Sequence, residues 1–166
     1  MKKIMRSLAL AACLILPACA VAEEGALRTV TRVFDGDTIQ LENGEKVRLI
    51  GVDTPEIHDD DGRNAAHASR FRKSEALIDE FSEKAKDFTE RAVLGRKVRL
   101  EYDWERRDKF GRTLAYVYRD PDGFFLNAEI LMRGCGFAYT RFPFQYRDEF
   151  RSYEEGARRG REGLWR

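Results

Sequence analysis

Asp37 and Asp53 stand at the entrance and exit of one short run of strand-forming residues, and Glu56 follows three positions after Asp53 across Thr54-Pro55. Hard cations such as calcium are held by carboxylate and carbonyl oxygens, and the rigid proline keeps the two downstream carboxylates in a fixed relation. The pattern predicts an oxygen-lined metal site. Neither aspartate has a neighbouring cation in the sequence that accounts for it. Taken singly, Asp37 also reads as a turn former and Asp53 as a loop cap. Arg48 lies between them and reads either as a functional cation or as a strand-surface ion-pair partner. Arg112 reads either as functional or as a turn residue beside Gly111.

Other reactive residue types offer less. Cys135 sits between Gly134 and Gly136 with no activating base nearby in sequence, which favours a small buried hydrophobe over a nucleophile. His58 and His67 are nine apart without cysteine partners, which is no recognised zinc spacing, so both are expected to be loop residues.

The elements that must position these groups follow from periodicity. Leu27–Phe34 carries Val30 and Val33 among threonines and arginines, suggesting a half-buried strand that ends at Asp35-Gly36. A second strand follows over residues 37–41. Asn43-Gly44 is a tight-turn signal into a third strand over Lys46–Ile50, giving an antiparallel meander. In the third strand Val47 and Leu49 face one way, Arg48 and Ile50 the other. Residues 57–64, with Asp59, Asp60, Asp61 and Gly62, lack apolar periodicity and read as an exposed loop. Apolar residues spaced by three and four from Ala65 to Leu94 predict one long helix or two successive ones, stopped by Gly95. Lys97–Tyr102 and Thr113–Tyr118 read as a fourth and fifth strand, joined by a link carrying Arg106, Arg107, Asp108, Lys109 and Arg112. Further helices are predicted over Leu126–Arg133 and about Tyr146–Arg159. The expected fold class is α+β: five short strands with intervening and terminal helices are compatible with a small closed barrel of the oligonucleotide-binding kind, and periodicity alone does not distinguish that from another α+β domain.

The chain has 166 residues, 43% hydrophobic and 36% charged, the balance of one globular domain. Lys2, Lys3 and Arg6 precede an apolar run from Leu8 to Leu16 and small residues ending at Ala20-Val21-Ala22, the three-part pattern of a secretory signal. The run is shorter than the roughly 20 apolar residues of a spanning helix. Residues 1–22 are therefore expected to be a signal peptide and residues 23–166 the functional domain of an exported protein, periplasmic or extracellular. Leu16-Pro17-Ala18-Cys19 offers the alternative of a lipid anchor at Cys19, with Pro17 fitting that pattern poorly. Without the three basic residues of the signal the 30 basic and 29 acidic residues become a net charge of −2. No global basic field would capture nucleic acid, so any affinity for polyanions must come from a few placed arginines and a metal. With Cys13 and Cys19 in the leader, Cys135 has no intramolecular partner, and the fold must stand without disulfides.

Three segments carry a resemblance: Asp35-Gly36-Asp37-Thr38, Arg48-Leu49-Ile50-Gly51-Val52-Asp53-Thr54-Pro55-Glu56, and Asp108-Lys109-Phe110-Gly111-Arg112-Thr113-Leu114-Ala115-Tyr116. They resemble, in order, the signature segments of the staphylococcal nuclease (thermonuclease) family. The similarity runs from about residue 28 to Trp165. It implies a five-stranded barrel with three helices and a calcium-dependent, monomeric nuclease that cleaves DNA and RNA to leave 3′-phosphate ends, with no stable protein partner. Asp37 and Asp53 match the family's metal-binding carboxylates, with Thr54 adding its backbone carbonyl. Glu56 matches the glutamate that positions or deprotonates the attacking water, a role a carboxylate suits because it accepts first a hydrogen bond and then a proton. Arg48 and Arg112 match the arginines that grip the scissile phosphate, where a planar guanidinium gives two hydrogen bonds and opposes developing charge. Lys109 and Tyr139 are the expected substrate contacts.

The sequence departs from the family at three places. Phe110 replaces a tyrosine that contacts a terminal phosphate, the spacing over Gly136–Arg141 differs, and the loop after Glu56 is longer, with Asp59, Asp60 and Asp61 inserted. Rival readings are a non-catalytic oligonucleotide-binding module and a surface-displayed adhesion or scaffold domain held through Cys19.

Overall fold

The structure, a computed structural model, describes residues 25–58 and 61–166; the expected signal, Cys19, Asp59 and Asp60 lie outside those residues. The barrel is built from β1 (Arg28–Asp35), β2 (Thr38–Leu41), β3 (Lys46–Leu49), β5 (Lys97–Glu101) and β6 (Thr113–Arg119). β1, β2 and β3 form the antiparallel meander, with Val33 opposite Ile39 and Ile39 opposite Val47. β5 pairs antiparallel with both β1 and β6, and a parallel pairing of β3 with β6, Arg48 opposite Leu114, closes the barrel. Closure leaves these strands with few free edges.

Period-two alternation puts Ile39 and Leu41, Val47 and Leu49, Val98 and Leu100, and Ala115 and Val117 into one buried core. Val30 and Val33, three apart, are both buried because a register irregularity between Val30 and Arg32 adds a residue to β1. Ile50, expected to face outward with Arg48, is buried as well, since β3 has ended by then and the chain turns. There Asn127 takes over from the missing strand. Its Oδ1 accepts from Val117 N–H at 3.0 Å, and its Nδ2 donates to Ile50 C=O at 2.9 Å.

The helices number four among the described residues, not three. The stretch expected as one helix or two divides into α1 (Arg63–Phe71) and α2 (Glu75–Val93). Arg72 adopts a left-handed conformation, and Ser74 caps α2 by accepting from Leu77 N–H at 3.2 Å. α1 also begins inside the segment read as an exposed loop, and Asn64 is buried. α3 (Leu126–Met132) and α4 (Arg147–Gly160) lie close to their expected bounds. Two short ladders are not legible in the pattern because each pairs only two residues with two. β4 (Val52–Asp53) pairs with β8 (Phe137–Ala138), and β7 (Phe124–Phe125) pairs antiparallel with the end of β6. A second, smaller core joins Ala68 of α1, Ile78 and Phe81 of α2, Phe137 of β8 and Leu164 of the terminal turn Gly163–Trp165. This cluster fastens α1 over the end of the barrel that carries β4. Among the described residues no helix is long and apolar enough to cross a membrane.

Candidate active site

The turn between β1 and β2 is compressed from both sides. Asp35 Oδ1 accepts from Asp37 N–H at 3.1 Å, an Asx turn around Gly36. Gly36 C=O accepts from the buried Thr89 hydroxyl of α2 at 2.7 Å. A Cβ on Gly36 would lie 2.7 Å from Ala85 Cβ and 2.8 Å from Thr54 Cγ2, so only glycine fits between α2 and the segment after β4. The packing turns the Asp37 side chain inward, where it is wholly buried.

Asp37 is the centre of the site. Its Oδ2 accepts from Thr54 N–H at 2.8 Å and its Oδ1 from the Thr38 hydroxyl at 3.1 Å. Arg48, opposite Thr38 in the β2–β3 register, makes an ion pair with Asp37 through Nη1 and with Asp53 Oδ1 through Nη2 at 2.8 Å. The absence of a cation beside the two aspartates is therefore corrected: Arg48 bridges both, brought there by strand register rather than by sequence neighbourhood. Arg112 Nη1 approaches the Thr38 hydroxyl at 3.5 Å, and that hydroxyl donates to Asp37 Oδ1, the oxygen that Arg48 Nη1 pairs with. Asp108 holds Arg112, its Oδ2 accepting from Nε at 2.7 Å and its Oδ1 from the backbone N–H at 2.9 Å. Glu56 is buried and pairs with the exposed Arg63 at 2.5 Å.

Electrostatics separate these carboxylates. Burial raises the Asp35 carboxyl above the usual carboxylate range despite Arg48. Burial and then the charge of Asp35 raise Glu56 in the same way. Burial also opposes ionisation of Asp53, but the hydrogen bond from His67 and the charge of Arg48 outweigh it and hold this carboxyl below its ordinary value. Arg48 thus acts on Asp35, Asp37, Asp53 and Glu56 together, with Arg112 also near Asp35, His67 on Asp53 and the exposed Arg63 on Glu56. A cleft of ≈ 300 Å³ opens beside Asp35 and Glu56, with Arg32, His58 and Lys86 on its walls.

Among the described residues no three His, Cys, Asp or Glu side chains are gathered into a ready metal cage. The donor chemistry nevertheless fits a hard cation. Asp37, Asp53 and Thr54 present oxygen acceptors, and Thr54 Oγ1 is buried with no hydrogen-bond partner. Asp37, Asp53 and the Thr54 carbonyl are the groups that would hold such an ion.

The expected site residues divide into two sets. Asp37, Arg48, Asp53, Thr54, Glu56 and Arg112 lie together at one end of the barrel. Lys109 and Phe110 project from the turn before Arg112, with Phe110 72% exposed and Lys109 Nζ 4.9 Å from its ring centroid. Tyr139 follows β8 directly, its N–H donating to Gly51 C=O at 2.9 Å and its ring 6.0 Å from that of Phe142. Asp35 was read as the end of a strand, although its position two before Asp37 across a glycine was the signal that both would flank one turn. His67, expected in a loop, sits on α1 with Nε2 3.2 Å from Asp53 Oδ2. Asn64 and Arg63 also reach the site, and no motif marks them. His58 is exposed. The Cys135 thiol, pushed up to about 11 by burial, is unsuited to act as a nucleophile.

Comparison with known proteins adds an independent line. Residues 46–166 match the family model for staphylococcal nuclease homologues. The chain is 37% identical over 148 residues to an uncharacterized protein of Methanocaldococcus jannaschii, covering 82% of this chain and 70% of that protein. It is 33% identical over 140 residues to the thermonuclease of Staphylococcus hyicus, covering 82% and 73%. It is 35% identical over 143 residues to endonuclease YncB of Bacillus subtilis, covering 82% and 60%. With the barrel, the order of its three signature segments and these matches in agreement, the chain belongs to the staphylococcal nuclease family.

Proposed function

We propose that this protein is a calcium-dependent nuclease that hydrolyses phosphodiester bonds of DNA and RNA and leaves 3′-phosphate ends. The observation that carries the reading is that Arg48, on Asp37 and Asp53, and Arg112, on the Thr38 hydroxyl bonded to Asp37, reach one end of the barrel beside Glu56. A phosphodiester in transfer gathers negative charge on its non-bridging oxygens, and two guanidinium groups at one end of the barrel are suited to oppose it. The site offers no activated serine or cysteine, so water is the nucleophile in this reading. Glu56, with its proton affinity raised by burial and by Asp35, is suited to accept the proton that water loses on attack. Asp108 keeps the Arg112 guanidinium from turning away. Asp37, Asp53 and the Thr54 carbonyl would hold calcium, which when bound supplies Lewis-acid polarisation of the phosphate. Lys109 and Tyr139 flank this centre as substrate contacts. The leader-like pattern of residues 1–22 supports export to the periplasm or the exterior.

The test is digestion of single-stranded DNA, duplex DNA and RNA with calcium or with chelator, beside Glu56→Gln. Calcium-dependent cutting that disappears in the variant is expected, with 3′-phosphate termini on the products. Binding of oligonucleotide without cutting under any divalent metal would overturn the proposal in favour of a binding module.

A further inference from the structure

α1 has only nine residues, well below the length at which an isolated helix is stable, so its tertiary contacts must hold it. A helix that merely completed a core would bury an apolar face. The buried residues of α1 are Asn64, His67 and Ala68, two polar side chains of three, and burial of such groups is costly unless they are paired. Both are paired, and both with the candidate active site.

Asn64 Oδ1 accepts from Glu56 N–H at 2.8 Å while its Nδ2 donates to Glu56 C=O at 2.8 Å, a closed pair of hydrogen bonds on a single residue's backbone. Asp79 of α2 fixes the amide by accepting from Nδ2 at 3.1 Å. One turn on, His67 Nε2 lies 3.2 Å from Asp53 Oδ2, both side chains largely buried. An ionised carboxylate only accepts, so Nε2 is the donor whether or not the ring is charged. The imidazole is held from behind by a stack. Its centroid is 4.5 Å from that of Phe137, the residue opposite Asp53 in the β4–β8 ladder, and Phe137 lies 4.2 Å from Phe71 at an interplanar angle of 2°. Trp165 closes the stack edge-on at 5.7 Å from Phe137.

We propose that α1 is the positioning element of this site. Asn64 sets the backbone of Glu56, His67 sets the carboxylate of Asp53, and each acts as a positioning residue through the group it holds. The inference rests on the reading of Glu56 and Asp53 given above. Pinning both backbone groups of Glu56 leaves its carboxylate free to turn only about its own side-chain torsions. Donation from His67 to Oδ2, with Arg48 on Oδ1, fixes the plane of the Asp53 carboxylate, the kind of outer contact whose loss costs about 10–100-fold in metal affinity or activity.

Three variants of the full chain test this: Asn64→Ala, His67→Phe and His67→Gln. Phenylalanine keeps a ring in the stack without a donor, and glutamine keeps a donor without the ring. Hydrogen exchange at the Glu56 amide is expected to accelerate at least about tenfold in Asn64→Ala while the α2 amides keep their protection, since Asn64 bonds α2 through the Asp79 side chain. Cutting in that variant should fall in kcat with KM little changed. Calcium titration should show about 10–100-fold weaker binding by His67→Phe, most of it regained by His67→Gln. Unchanged Glu56 exchange in a folded Asn64→Ala chain would overturn the proposal. So would wild-type calcium affinity in His67→Phe, or glutamine performing no better than phenylalanine. If Asn64→Ala loses α2 protection and so does not fold, the His67 pair decides. If the wild-type chain neither cuts nor binds calcium, the functional reading fails, and the Glu56 exchange alone decides the role of α1.

Discussion

Replacing Arg48 by methionine keeps the length of an apolar stem and removes the cation between two carboxylates. Asp37 is wholly buried and would keep only Thr54 N–H and the Thr38 hydroxyl, while Asp53 would keep His67. Breaking a buried ion pair from one side costs about 3–5 kcal/mol because it leaves an uncompensated charge. The surviving donors, and the 15% exposure of the Asp53 side chain, place the expected loss near the lower end, at about 3 kcal/mol. That is a large share of the roughly 5–15 kcal/mol that holds a domain folded. Urea unfolding at neutral pH in chelator reads it directly, as a lower midpoint with an unchanged slope. The double variant Arg48→Met/Asp37→Asn should recover most of the loss, since the least exposed of the orphaned charges is then gone. Arg48→Lys should keep more stability than activity, because an ammonium restores charge but not the planar fork that grips phosphate. Cutting by Arg48→Met should fall about 10²–10³-fold. A destabilisation below about 1 kcal/mol, or no recovery in the double variant, would refute the charge argument.

Three further outcomes follow from other parts of the molecule. Asn127→Ala strips the partners from Val117 N–H and Ile50 C=O, whereas Ala115 C=O keeps its bond from Ile50 N–H; at about 1–3 kcal/mol for each orphaned group the loss should be about 2–6 kcal/mol by chemical denaturation. Gly36→Ala forces a methyl against Ala85 and Thr54, so it should cost about 1–3 kcal/mol and also lower cutting, because Thr54 N–H orients Asp37; unchanged melting and turnover would count against the compressed turn. The Cys135 thiol, raised from 9.0 to about 11, holds about a hundredfold less thiolate at pH 8 than an unperturbed one, so alkylation of the native chain should be slow and should quicken as pH climbs toward 11 or on adding denaturant. Its linkage to folding has the matching sign: stability present below pH 9 is lost as the pH rises through the folded value, because the unfolded thiol ionises first. Equal labelling rates for native and unfolded chains at pH 8 would contradict the burial.

Much of this protein is legible in one dimension. Alternation over 38–41, 46–49, 97–101 and 113–119 locates four barrel strands, since a strand's two faces meet different solvents at every second residue. The signature segments around Asp37, Arg48 to Glu56, and Arg112 name the candidate site because chemistry of this kind demands particular residue types. What periodicity misses is set by contacts between distant segments. Val33 is buried through a β-bulge, Ile50 through the end of its strand, and the two-residue ladder of Val52–Asp53 against Phe137–Ala138 is too short to leave a pattern. The division at Arg72 required backbone conformation rather than spacing of apolar residues. That Arg48 neutralises Asp37 and Asp53 depends on strand register, and that Asn64 and His67 reach Glu56 and Asp53 depends on where the second core docks α1. Residue types and their order were determined locally by the sequence. Which carboxylate is paired, which is raised in proton affinity, and which helix holds them was decided by tertiary packing, because burial and through-space charge exist only once the chain has folded.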